Sequence, residues 1–295
     1  MGPARSLTVA FRIAIALVTA AASAAQTVEI YSELQRPDPF GGIVTVDRAW
    51  QPREILSPAV ARNAFASFHV AVTVPPKESY LLYVVPNPIT ACRVALYREH
   101  FVKTRSGWIP DRLTEVERLP DFGAMPDPVD GVEEQNTRVY LLDLWLPPNA
   151  DVARFRLEVQ LKVADWTVRP MEVRVIAARV PEIPAGPDRP LPEIEQGADA
   201  AAAGALMDYL AGRPLAMPPP GLTTRGILRR NAIQDIALAL DAPEMARRVV
   251  ELFRVNSTFA RRPLGSEWLI GFGAAYRNRC RESGLVRVPG YGSLP

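Results

Sequence analysis

Cysteine, histidine and lysine are scarce in this chain, with two, two and three among 295 residues. The scarcity of cysteine and histidine limits the chemistry available. Two cysteines, Cys92 and Cys280, are too few for the disulfide framework of a small secreted module. Cys92 and Cys280 also lie far apart in sequence, which argues against a closed zinc site of clustered ligands with His69 and His100. A Ser-His-acid hydrolase needs histidine beside an activated serine, and no Gly-x-Ser-x-Gly turn occurs. Nor does any segment beyond the N-terminus hold the roughly 20 apolar residues required to cross a bilayer.

The N-terminus is the most informative stretch that is present. Arg5 and Arg12 precede the apolar run Ile13–Ala22, and Ala22-Ser23-Ala24 supplies the small residues a signal peptidase requires. Residues 1–25 are therefore expected to be an export signal, and the mature protein to be periplasmic, cell-surface or extracellular. In such a compartment Cys92 and Cys280 are a possible disulfide. A buried free thiol at Cys92, which lies in an apolar stretch, is the competing expectation.

Apolar residues at 48% and charged residues at 22% describe a globular chain, whereas 29 prolines are close to twice the ordinary share. From residue 26 to 181 the dominant hydrophobic period is two. Phe155, Leu157, Val159, Leu161 and Val163 alternate with polar residues, as do Ala66, Phe68, Val70, Val72 and Val74, the pattern of half-buried antiparallel strands. Further strands are expected at Gly42–Trp50, Tyr80–Val85, Ala91–Lys103, Thr137–Leu146 and Met171–Val180, separated by Pro and Asn turn residues. The expectation is an antiparallel Ig-like β-sandwich of seven to nine strands. Ser106–Asn136, with four prolines and a cluster of acids, reads as one long loop.

Residues 182–195 continue a segment with five prolines in Pro181–Pro192 and predict a semi-rigid linker. Beyond it the period becomes helical over 198–211, 227–240, 243–253 and 266–283, so that 196–295 is expected to be a small helical region. That region holds 13 Arg against 8 Asp and Glu. Arg225, Arg229, Arg230, Arg247, Arg248, Arg261 and Arg262 are the candidate partner contact, because the planar guanidinium pairs with carboxylates at interfaces. Export argues against nucleic acid as that partner.

Other candidate chemistry is sparse. His69, with Ser67, Ala71 and Thr73, falls on the polar side of its strand, and His100 ends a neighbouring one, so both read as surface or rim histidines. Asp121, Asp127, Asp130, Glu133 and Glu134 concentrate oxygen ligands that would suit calcium, although their spacing matches no defined calcium loop. Asp143 interrupts the apolar strand Val139–Leu146 and is the best single acid candidate for glycoside hydrolysis, which requires a second placed carboxylate. It would equally suit the open face of an edge strand. Among Trp108, Trp145 and Trp166, the loop residue Trp108 is the one expected to be exposed and to offer a sugar contact.

The strands Ala61–Phe68 (ARNAFASF) and Tyr140–Pro147 (YLLDLWLP) resemble segments of the accessory sandwich that precedes the catalytic barrel in some secreted bacterial glycoside-hydrolase-like proteins. The resemblance spans about residues 40–181 and implies a sandwich fold without any catalytic residue. It ends where a barrel would follow, since this chain continues instead with about 100 residues of helical pattern. These readings together predict an exported, non-enzymatic structural or interaction protein of the envelope or of an extracellular assembly. The alternative is a polysaccharide-directed glycoside hydrolase or a carbohydrate-binding accessory module.

Overall fold

The structure is a computed structural model that describes residues 26–48, 54–186, 216–217, 219 and 221–241. Among the described residues, ten strands and one long helix follow one another in the order β1 (Thr27–Ser32), β2 (Ala59–Arg62), β3 (Ala64–Thr73), β4 (Ser79–Asn87), β5 (Arg93–Thr104), β6 (Gly107–Glu115), β7 (Asp121–Ala124), β8 (Thr137–Leu146), β9 (Arg154–Lys162), β10 (Trp166–Arg179) and α1 (Thr224–Asp241). They form two five-stranded sheets, ordered β1-β3-β8-β5-β6 and β2-β10-β9-β4-β7. All pairings are antiparallel except the short edge pairing of β2 with β10.

The period-two residues explain how the sheets meet. Phe68, Val70 and Val72 of β3, Leu142 and Leu144 of β8, Leu82 and Val84 of β4 and Leu157, Val159 and Leu161 of β9 belong to one buried apolar cluster. Alternate residues of each strand point to one face, so these sets place the shared core between the two sheets. Burial of each such side chain stabilises the fold by about 1.5–3 kcal/mol.

β3 and β8 are buried on both faces, unlike β9 with its strict alternation. The cause is α1, which lies on the outer face of the first sheet: Ile227 packs with Leu113 of β6 and Leu141 of β8. The segment 125–136 covers another part of that face, where Val132 packs with Phe101, Val139 and the half-buried Trp108.

Several expectations require correction. The described part of the expected strand Gly42–Trp50, residues 42–48, carries the 3₁₀ turn Thr45–Asp47 instead, and a strand that was not expected, β1, lies earlier in the chain. Residues 106–136 are not one long loop, because they contain β6 and β7. Pro110 is tolerated there because β6 is an edge strand and the register with β5 shifts beside it, between His100 and Phe101. The expected helix at 227–240 is observed as α1. The export signal, most of the proline linker, the helices expected at 198–211, 243–253 and 266–283, and Arg247, Arg248, Arg261, Arg262 and Cys280 lie outside the described residues.

β7 joins the second sheet through a close approach. A Cβ on Gly123 would sit 2.3 Å from the Tyr80 hydroxyl oxygen. The Tyr80 ring is 2% exposed and its hydroxyl bonds that of Tyr140 at 2.7 Å, so the ring has no free direction in which to retreat. Gly123→Ala is therefore expected to destabilise the protein by about 1–3 kcal/mol through overpacking. Urea denaturation with an unchanged midpoint would contradict this.

Candidate functional site

The outward residues of β3, β8 and β5 include Ser67, His69, Asp143 and Glu99, and all four are at most 4% exposed. A row of polar groups on a sheet face survives burial only if the covering element answers each one. Helix α1 does so. Arg230 donates from both terminal nitrogens to Asp143, at 2.9 and 2.7 Å, and its guanidinium carbon lies 3.6 Å from the Phe65 ring centroid. Asp143 also accepts from Ser67 Oγ at 2.7 Å, and Asn231 Nδ2 donates to that same hydroxyl oxygen at 2.9 Å. One turn on, the Gln234 side chain accepts the Phe65 backbone N–H.

At the other end of α1, Thr224 Oγ1 donates to Glu99 at 2.8 Å, and the second Glu99 oxygen lies 3.1 Å from His69 Nδ1. Nε2 of His69 faces the Glu33 carbonyl at 3.3 Å. Burial opposes charging of this imidazole, but Glu99 and its hydrogen bond outweigh that and raise the His69 pKa above its ordinary value. Next to this cluster, Arg36 and Asp47 form a buried ion pair at 2.7 Å.

The acidic residues suggested for calcium do not act as one set. Asp121 is bound by Arg98 and by the Tyr140 hydroxyl, whereas Asp127 pairs with Arg138. Asp130 lies 2.7 Å from His100 Nδ1, and Gln135 also donates to it. Glu133 and Glu134 are exposed. His100, Asp127 and Asp130 do bring one ligand atom each within 4.8 Å of one another. Arg138 places a positive charge on the same group, which opposes a bound cation.

Four assignments from the sequence change. His69 and His100 are interior, at 0% and 6% exposure, because α1 and the 125–136 segment cover the polar side of their strands. Asp143 sits in the central strand of its sheet, not on an edge. Arg229 and Arg230 are buried and do not form an exposed partner surface, while Arg225 is half-buried. Trp108 packs against Phe101 and Val139 with Lys103 over its ring, whereas Trp166 is the tryptophan that is 52% exposed. Cys92 is buried, which pushes its thiol up to about 12.

The second sheet presents the contrasting surface. Its outer face carries Phe122, Leu81, Tyr83, Val85, Trp166 and Val168, with Phe122 70% and Val168 40% exposed. Tyr83 and Trp166 are in contact, with ring centroids 5.7 Å apart. Sequence reasoning missed this patch because its members come from three strands whose pairing was unknown.

No protein-family model and no curated protein sequence matches the chain. Partial likenesses to solved structures include a family 123 glycoside hydrolase from Clostridium perfringens, at 7% identity and a TM-score of 0.37 over 53% of this chain and 28% of that one. A DUF4466 family protein from Parabacteroides merdae gives 12% identity and a TM-score of 0.29, over 50% of this chain and 43% of the other. Domains 4 and 5 of the S-layer protein SbsC give 15% identity and a TM-score of 0.21 over 41% and 47% of the two chains. The chain thus spans less than half the length of each of these proteins.

Two outcomes test the covered polar row. Asp143→Asn or Arg230→Met alone leaves a buried charge without its counterpart and is expected to cost about 3–5 kcal/mol, whereas Asp143→Leu combined with Arg230→Met recovers most of that loss. Denaturant unfolding of the three variants measures both, and additive losses would refute the pairing. For His69, the raised pKa means that its contribution is fully present below the ordinary imidazole value of about 6.5 and is lost as pH rises through the native value. The stability gap between wild type and His69→Gln should then narrow on going from mildly acidic to alkaline pH, and a gap independent of pH would show that His69 is not charged.

Proposed function

We propose that this chain is an exported, non-enzymatic interaction protein of the envelope or of an extracellular assembly, built on an Ig-like sandwich. The observation that carries this reading is the division of labour between its two sheets. The first sheet commits His69, Glu99 and Asp143 to internal partners under α1. The second leaves an aromatic and apolar face open to solvent, and exposed patches of this kind mark contact sites. The signal-like N-terminus supports export, and among the described residues no helix is long and apolar enough to cross a membrane.

Arg230 contributes to this function by holding α1 in place through Asp143, and the open sheet offers a further surface for partner contact beside the arginines that lie outside the described residues. Copurification from the native envelope tests the proposal. Wild-type protein is expected to bring down envelope components reproducibly, and Phe122→Ala combined with Trp166→Ala to lose them without a change in melting temperature. Unchanged recovery with the double variant would remove the open face from the interaction. Saturable hydrolysis of a polysaccharide, lost in Asp143→Asn under conditions where that variant remains folded, would overturn the non-enzymatic reading.

A further inference from the structure

We propose that His69, Glu99 and Thr224 form a proton-operated latch: the charged imidazole holds the first turn of α1 to the first sheet, and loss of that proton loosens it. Both ring nitrogens of His69 face oxygen acceptors. Nδ1 lies 3.1 Å from a Glu99 carboxylate oxygen, and Nε2 lies 3.3 Å from the Glu33 carbonyl. A neutral imidazole has one N–H and one lone pair, so it would turn that lone pair on one of these oxygens, whereas the imidazolium donates to both. His100 offers the contrast, because its Nε2 meets the Thr114 hydroxyl at 3.0 Å, a group that can donate as readily as accept.

His69 and Glu99 are both 0% exposed, so water does not hydrate either group in place. The charged groups that bear on His69 are Glu99 of β5 and, from the segment 33–47, Arg36 and Asp47. Arg36 donates to Asp47 from Nε at 2.7 Å and from Nη2 at 2.9 Å, which commits it away from Glu99, and Asp111 of β6 also acts on it. The Glu33 carboxylate accepts from Ser32 Oγ at 3.3 Å. β1 and β8 set Tyr31 and Leu141 beside His69, and α1 contributes the uncharged Thr224, with Arg229 buried one turn on.

Losing the proton removes the cation in contact with the Glu99 carboxylate and sets a lone pair against an oxygen. Both costs fall when the cover opens and water reaches the pair. That cover is the first turn of α1, where Thr224 Oγ1 donates to the other Glu99 oxygen at 2.8 Å. Arg230 on Asp143 holds the helix further along without help from His69, so the opening stays local to the helix start. Burial lowers the His69 pKa and Glu99 raises it, with the net shift upward. The closed latch is therefore fully present below the ordinary imidazole value of about 6.5 and is lost as pH rises through the native value.

Nitrogen-15 NMR of the histidine-labelled full chain, together with amide exchange corrected for its intrinsic pH dependence, tests the latch. Below a pH of about 6.5 both His69 nitrogens are expected to carry protons. The amides of Leu113, Gly226 and Ile227 report the helix start, because they bond to Leu222 and Thr223. Their protection should fall about ten-fold or more as pH rises through the His69 transition, while β3 and β8 stay protected. Thr224→Val should abolish that pH dependence and still show a His69 transition, and His69→Gln should leave the turn loosened at every pH. A singly protonated His69 below a pH of about 6.5 overturns the proposal. So does amide protection that holds constant across the His69 transition, or a pH dependence that survives intact in either variant.

Discussion

The pairing of Arg230 with Asp143 sets the terms for the rest of the molecule. A carboxylate in the central strand of a sheet, 4% exposed, is unfavourable by several kcal/mol unless a cation reaches it with good geometry. Arg230 meets that demand with two hydrogen bonds from the terminal nitrogens of its guanidinium. The pair also fixes α1 in position, because Asn231 and Gln234 engage Ser67 and the Phe65 backbone only when the helix lies in this register. Thr224 on Glu99 repeats the logic at the helix start. β3 and β8 are consequently buried on both faces, and α1 is part of the layer that covers them.

That arrangement decides which surfaces remain for function. Groups that would carry acid-base chemistry on an open sheet serve here as fasteners between layers. The second sheet receives no such cover from the described residues, and its outer rows keep Phe122, Tyr83 and Trp166 in contact with water. Exposed apolar and aromatic surface is unfavourable in water, and burying it would recover that free energy.

Much of the fold was legible in the sequence because local periodicity reports which face is buried. The alternation from Phe155 to Val163 predicted β9, and the helical period over 227–240 predicted α1, in which Ile227, Ile233 and Ala237 are buried. Periodicity cannot report what covers a face. His69 was correctly placed on the polar side of β3, yet that side is interior because a helix more than 150 residues later lies on it. The same blindness hid the partner of Asp143, since Arg230 is 87 residues away in sequence. Prolines misdirected the reading of 106–136, where an edge strand and a register shift accommodate Pro110. Trp166 lies before the expected strand Met171–Val180, although it opens β10.

The central claim is that α1 and the first sheet form one cooperative unit joined by buried charge. Native-state amide hydrogen exchange measures this directly, since amides that open only on global unfolding share its free energy. Amides of residues 228–234 in α1 are predicted to exchange at the rate of those in β3 and β8, and in Arg230→Met the α1 amides should lose protection first. Exchange of the wild-type α1 amides near free-peptide rates, while β8 stays protected, would contradict the account.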